Sequence, residues 1–187
     1  MVAADPPARS IRGLLDSILD TVRRIGAIAA DPDEAALLPP ASVDALQRLE
    51  SRCGFPLPPT YREFLTISNG FQGIAGGFDL LGCEQMLRPE YDEEVRRIRT
   101  LAWDSGQRSP LEGFAVGLRP GSDALVLLDR SRPTRGGELT VVHWCYSTLG
   151  ESSSFSDFLA YWDGVSREVL ARIQSGATTG GPGPQTP

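Results

Sequence analysis

The chain of 187 residues is long enough for one domain or two small ones, and 41% of its residues are hydrophobic. It carries a net charge of −6, and its 18 basic residues are all arginine. The acidic balance disfavours direct binding to nucleic acid, because phosphates need a basic surface. It favours a protein partner that is itself basic, since opposite charges accelerate encounter.

Cysteine content and hydropathy predict the compartment. Cys53, Cys83 and Cys145 are too far apart for a CxxC metal site, and an odd number of cysteines is typical of a reducing compartment. The N-terminus has no apolar region of the signal-peptide type, and no stretch approaches the length of a membrane span. We therefore expect a cytoplasmic protein with no membrane contact, metal or other cofactor.

The first half of the chain predicts three helices. Apolar residues between positions 9 and 30 recur every three or four residues, which is typical of an amphipathic helix. Ser42 is a suitable N-cap for a second helix, and Gly54 is a suitable residue to end it. A third helix is predicted to begin at Thr60, because Thr60 and Glu63 have the spacing of a capping box.

The second half predicts strands between two further helices. Residues 89–103 begin with acids and continue with arginines, which complements a helix dipole, and residues 153–173 predict the last helix. Short apolar stretches predict strands at 78–81, 113–118, 124–129 and 139–146. This order indicates an α+β fold, in which helices flank a mostly antiparallel sheet of about four or more strands.

The ends of the chain differ in composition from the part between them. Residues 1–8 are rich in proline and alanine, and residues 174–187 contain few apolar side chains, so both are expected to be disordered. We therefore predict one domain over residues 9–173, with an accessory helix at 9–30 and a core at about 38–173.

A series of short motifs lies in a characteristic order. A Leu-Glu pair in an early helix is followed by Leu-Pro, Tyr-x-x-Phe-Leu, Asn-Gly and Leu-Leu-Gly. In this chain the motifs are Leu49-Glu50, Leu57-Pro58, Tyr61 to Leu65, Asn69-Gly70 and Leu80 to Gly82, and later strands and a Ser-Phe-x-x-Phe-Leu segment follow at 124–129, 141–146 and 154–159. The series resembles the SUKH superfamily, the Smi/Knr-type domain, over about residues 38–165. The helix at 9–30 and the charged segment 88–110 depart from that pattern.

The resemblance implies a SUKH-like fold that acts as a binding scaffold with no common chemistry. Many bacterial members resemble immunity proteins that neutralise a polymorphic toxin, often a nuclease, by stoichiometric binding. Fungal relatives act as regulatory hubs, so a scaffold that binds a host protein is the alternative, with the helix at 9–30 and the tail as its working parts. Neither hypothesis identifies the partner or the oligomeric state.

A small hydrolase is a third hypothesis, and it depends on three residues. His143 and Cys145 lie on the same face of a predicted strand, because side chains alternate along a strand. A nucleophilic set also needs Asp129 at the same point. A lone histidine in an apolar strand is more often a packing residue, so we expect no enzymatic activity.

Exposed acids are the candidate contacts if the acidic balance serves docking. Trp103, Trp144 and Trp162 are expected in the core, although Trp144 is also a candidate contact because such a sheet can leave one face open. The full set of candidate acids is Asp79, Glu84, Glu90, Asp92, Glu93, Glu94, Asp123 and Asp129.

Overall fold

The computed structural model describes residues 10–26, 36–74, 78–104, 106, 113–118, 124–145 and 150–174. The helices of this part are α1 (Ile11–Gly26), α2 (Val43–Cys53), α3 (Pro59–Ile67), α4 (Cys83–Met86), α5 (Pro89–Asp104) and α6 (Phe158–Gln174). The strands are β1 (Ala36–Leu37), β2 (Phe71–Ile74), β3 (Phe78–Leu80), β4 (Gly113–Leu118), β5 (Ala124–Pro133), β6 (Leu139–Cys145) and β7 (Gly150–Phe155). Within these ranges no helix is long and apolar enough to span a bilayer.

The strands form a single antiparallel sheet in which they lie in chain order, from β1 to β7. Helices α4 and α5 are inserted between β3 and β4, and α6 follows β7. The register pairs Leu125 of β5 with Trp144 of β6, and Val141 of β6 with Phe155 of β7. The prediction of an α+β fold with a mostly antiparallel sheet is confirmed.

Aromatic side chains join two helices, α3 and α6, to the sheet. The ring centroid of Phe158 in α6 lies 4.9 Å from that of Tyr61 in α3. The indole of Trp162 lies 5.6 Å from the ring of Phe64 and 5.7 Å from the ring of Phe71 in β2. All five side chains are fully buried. The Tyr-x-x-Phe-Leu motif therefore supplies packing surface for the core.

Helix α1 is part of this core. Its residues Ile11, Leu14 and Leu15 are buried, and the helix packs against α6 and α3. The predicted amphipathic helix is thus confirmed over Ile11–Gly26, and these three apolar side chains are covered within the chain. The segment predicted at 1–8 lies outside the described residues, as do residues 175–187 of the tail predicted at 174–187, whereas Gln174 is the last residue of α6.

The Asn-Gly and Leu-Leu-Gly motifs meet at one junction. The Asn69 side chain accepts a hydrogen bond from the Cys83 amide at the start of α4, with 2.7 Å between the atoms. Gly70 has φ 114°, and a Cβ atom there would lie 2.8 Å from the Leu80 carbonyl oxygen. A Cβ atom on Gly82 would lie 2.2 Å from the Asn69 carbonyl oxygen. Only glycine permits this close approach of the two chain segments.

The predicted capping box of α3 is wrong. The helix begins at Pro59, so Thr60 lies in its first turn. Proline favours this position because its φ is already helical and it has no N–H that needs an acceptor. The Thr60 amide and hydroxyl instead donate to the two carboxylate oxygens of Glu138, at 2.8 and 2.7 Å. The N-cap at Ser42 and the left-handed Gly54 after α2 are confirmed.

The last predicted helix begins too early, and three strands were not predicted. Residues 153–155 belong to β7, whose serines pair with β6, and the short strands β1 and β2 lie at the other edge. Helix α6 begins only after Asp157, whose carboxylate accepts a hydrogen bond from the Ala160 amide at 2.7 Å. A Cβ atom on Gly164 would lie 2.4 Å from the Phe155 ring, so a glycine lets α6 pack closely on β7.

Candidate functional site

The Cys/His/Asp set predicted for a hydrolase is not assembled. His143 pairs with Val126, whereas Asp129 pairs with Thr140. Three residues of strand separate the two positions, which is about 10 Å at roughly 3.4 Å per residue. Asp129 instead accepts hydrogen bonds from Ser131 and from the Arg132 guanidinium, the latter at 2.5 Å.

Arg132 joins Asp129 of β5 to β7, which lies two strands away in the sheet. Its guanidinium also donates to Glu151 of β7, with 2.9 Å between the closest atoms. Burial alone would raise the pKa of Asp129, but the hydrogen bonds from Ser131 and Arg132 outweigh it and lower that pKa. The acid therefore stays ionised as part of a structural ion pair between β5 and β7.

Two of the three thiols are held in their protonated form. Burial raises the pKa of Cys53 to about 12 and that of Cys83 to about 11. Because the thiolate is the nucleophile, both side chains are expected to be inert at neutral pH. Burial also lowers the pKa of His143. Across the described ranges no group of three His, Cys, Asp or Glu side chains is placed to hold a metal ion.

Two of the predicted contact residues are inaccessible. Trp144 is 0% exposed, because its side chain lies on the same face of the sheet as the core residue Leu125. Asp129 is 3% exposed and paired as described. Their assignment as partner contacts is therefore wrong. Asp123 lies outside the described residues.

The remaining predicted acids lie near α4 and α5 or on β3. Glu84, Glu90 and Glu93 are exposed and Asp79 is half-buried. Asp92 and Glu94 are instead bound within the chain, by Arg52 at 2.5 Å and by Arg97 at 2.7 Å. Two of the predicted contacts thus have a partner already, which reduces the acidic surface that remains for docking. The Glu84 carboxylate also accepts a hydrogen bond from the Asn69 amide.

A groove of about 550 Å³ lies between α5, the end of α2 and the strands β4 and β5. Its floor is aromatic: the rings of Phe55 and Phe114 meet edge to face at 6.0 Å, and Tyr91 lies beside Phe114. The Tyr91 hydroxyl donates to the Ala115 carbonyl at 2.7 Å, which fixes α5 against β4. The groove is therefore a preformed depression with an apolar base.

Arginines form the walls of the groove. The lining includes Arg52, Arg96, Arg99 and Arg130, with Asp92 as the lining acid. The Arg99 guanidinium donates to the Gly113 carbonyl at 2.6 Å, and that of Arg130 lies 4.9 Å from the Phe55 ring centroid. The second geometry is a cation–π contact. An acidic chain thus presents a basic depression.

Helix α5 extends this groove with an exposed tryptophan. Asp92, Arg96, Arg99 and Trp103 follow one another at intervals of three or four residues, so they lie on one side of the helix. Trp103 is 66% exposed, so its predicted place in the core is wrong, while Trp162 is fully buried as predicted. The groove was not predicted from sequence, although this spacing along α5 is a signal that could have indicated it.

Comparison with known proteins identifies the family. The model of the SMI1/KNR4 family (SUKH-1) matches residues 40–161, about two thirds of the chain. The matched range begins just before α2 and ends within α6, so it contains the Asn69–Gly82 junction and the whole of β2 to β7. No curated protein matches the chain. The chain belongs to the SMI1/KNR4 (SUKH-1) family.

Proposed function

We propose that this protein is a non-enzymatic binding module of the immunity type, which neutralises a polymorphic toxin by stoichiometric association. The match of residues 40–161 to the SMI1/KNR4 family carries this proposal. Bacterial proteins of that kind resemble immunity proteins, and the family is a binding scaffold. The geometry adds support, since Asp129 and the thiols of Cys53 and Cys83 are committed to structure.

The described surface also suits binding. It combines an exposed tryptophan, exposed arginines and an aromatic-floored groove, and Trp and Arg are the residue types that most often dominate binding energy in interfaces. Trp103 lies in the last turn of α5, next to the buried Ala102 that packs this helix on the core. Such a surface needs no reaction chemistry to act.

Coexpression tests the proposal. Each neighbouring reading frame of the source genome would be expressed in a host, and those products that arrest growth would be coexpressed with this chain. We expect protection against one of them and a complex of defined stoichiometry by light scattering. If the chain protects against none of these products and forms no complex with them, the immunity proposal is wrong.

A regulatory scaffold is the second candidate, and α1 favours it because this helix precedes the matched range. Deleting residues 1–30 cannot test this role cleanly, since Ile11, Leu14 and Leu15 are in the core. The outer side of α1 can be tested instead with Arg12→Ala and Asp16→Ala, both exposed. Loss of binding to a host protein with unchanged stability would support the scaffold function, whereas full binding would argue against it.

A further inference from the structure

The lining of the groove beside α5 is basic, whereas the protein as a whole is acidic. Four arginines and one aspartate line it, a local excess of three positive charges in a chain with a net charge of −6. A depression lined by one sign of charge over low-dielectric walls concentrates the electrostatic field. The groove is therefore suited to an anionic group even though the whole protein is acidic.

The arginines divide into two that build the groove and two that face its opening. Arg52 is bound by Asp92, and Arg99 is anchored on the Gly113 carbonyl. Arg96 and Arg130 are exposed, and Arg130 is held over the Phe55 ring. Each guanidinium offers a planar fork of donors that matches a carboxylate in bidentate geometry.

The floor of the groove selects for more than charge. Phe55 and Phe114 are each partly exposed, so their rings present apolar surface between the arginines. Trp103 adds an exposed indole further along the same side of α5. A ligand that covers this surface needs carboxylates beside an apolar side chain, a combination that a peptide segment supplies.

The charge around the groove argues against a nucleic acid. The exposed Glu90 and Glu93 lie on the other side of α5, where Glu94 is paired with Arg97, so a long polyanion that follows the helix would meet repulsion. Phosphate-driven binding needs an extended basic surface, which the net charge of −6 disfavours. A short acidic segment fits inside the basic depression without reaching those acids.

We propose that the groove lined by Arg96, Arg99, Arg130, Phe55 and Phe114 docks an acidic segment of a protein partner. The carboxylates of that segment pair with the exposed guanidiniums, and an apolar side chain beside them packs on the two phenylalanine rings. The proposal rests on the proposed function, since it names the surface through which the immunity complex forms. The segment that enters this groove is acidic even where the toxin as a whole is basic.

Trp103 provides a local readout for the test. It is 66% exposed while Trp144 and Trp162 are 0% exposed, so a ligand at the groove changes the emission of Trp103. The probe is a synthetic peptide in which Asp-Glu-Phe-Glu-Asp is flanked by Gly-Ser linkers. Its amide counterpart, Asn-Gln-Phe-Gln-Asn in the same linkers, and an oligothymidylate of equal length are the comparison ligands. A Trp103→Phe variant shows which part of the signal comes from the groove.

Charge reversal identifies the binding surface. The double variant Arg96→Glu/Arg130→Glu changes two exposed side chains, and the single variant Arg135→Glu, in the exposed turn between β5 and β6, is the control outside the groove lining. We expect the acidic peptide to bind about tenfold or more tightly than its amide counterpart, and the double variant to lose a similar factor, because attraction becomes repulsion. The Arg135→Glu protein should bind like the wild type. Unchanged thermal unfolding of all variants shows that the fold is intact.

Other outcomes overturn the proposal. Equal binding of the acidic and amide peptides, no binding of either, or equal binding by the double variant would show that the groove does not recognise carboxylates. Tighter binding of the oligothymidylate, lost in the double variant, would assign the groove to phosphates instead.

The coexpression assay separates this proposal from the proposed function. If the wild type and the double variant protect a host against the toxin equally well, the groove is not the docking surface although the immunity function stands. If the chain protects against no toxin but the acidic peptide binds the groove, the docking chemistry stands and the immunity function is wrong.

Discussion

The two hydrogen bonds between Glu138 and the first turn of α3 allow a direct test of the fold. The first amides of a helix have no acceptor within the helix, and here the Thr60 amide and hydroxyl donate to the two oxygens of one carboxylate, at 2.8 and 2.7 Å. In Glu138→Ala both donors lose that acceptor. Replacing an N-cap acceptor costs about 0.5–2 kcal/mol. A hydrogen bond to a charged group contributes about 1.5–3 kcal/mol.

The expected loss is smaller than the sum of these figures because both residues are only half-buried and water replaces part of each bond. We therefore expect Glu138→Ala to lower the free energy of unfolding by about 2–3 kcal/mol, measured by urea denaturation. Thr60→Val removes only the hydroxyl donor and should cost about 1 kcal/mol. In a double-mutant cycle the two substitutions should be non-additive by about 0.5 kcal/mol or more.

Glu63→Ala is the matched control. Glu63 is the carboxylate that the sequence assigned to a capping box, and it is exposed in the structure. It should change the free energy of unfolding by less than about 0.5 kcal/mol. Glu63→Ala could instead lower the free energy of unfolding more than Glu138→Ala, or the effects of Thr60→Val and Glu138→Ala could be additive. Either result would show that the hydrogen bonds between Thr60 and Glu138 do not stabilise the start of α3.

Three further predictions concern charge, thiols and α1. The pKa of Asp129 is lowered from 3.8, so its contribution to stability is present above that value and is lost as the pH falls through its folded pKa. Accordingly, the stability difference between wild type and Asp129→Asn should be largest at neutral pH and shrink in acid; a difference independent of pH would contradict this. Cys53 and Cys83 should resist iodoacetamide at neutral pH in the folded state and react in urea, as read by mass spectrometry, and rapid modification of the folded protein would show that their pKa values are not raised. Leu15→Ala should cost about 2–5 kcal/mol on urea unfolding, because its side chain is 0% exposed, whereas exposed Asp16→Ala should have little effect; equal small effects would mean that α1 is not part of the core.

The sequence predicted those elements whose signal is local. Ser42 and Gly54 marked the ends of α2 because a cap depends on side chains within a few residues. The start of α3 was misplaced because its acceptor, Glu138, lies 78 residues away in the chain. The last three residues of β7 were read as helix because the partner strand β6 decides their conformation, and serine has little preference of its own.

The candidate site was predicted less well than the fold. Composition correctly gives the total charge, but it does not say which charged side chains form ion pairs within the chain. Asp129 and Asp92 are bound by arginines of the same chain, and Trp144 is covered by the core. The groove needs residues from α2, α5, β4 and β5, which come together only in the folded chain.

Net charge and local charge therefore answer different questions about this protein. The net charge of −6 acts at a distance and favours encounter with a basic partner. Salt weakens this field beyond about 8 Å at physiological ionic strength, whereas charges that lie at the contact itself are screened much less. At that range the arginines over Phe55 and Phe114 decide which segment of the partner binds. A partner that is basic overall and presents an acidic segment to this groove would be attracted both by the net charge of the chain and by the arginines of the groove. Added salt would then slow its association more than it speeds its dissociation.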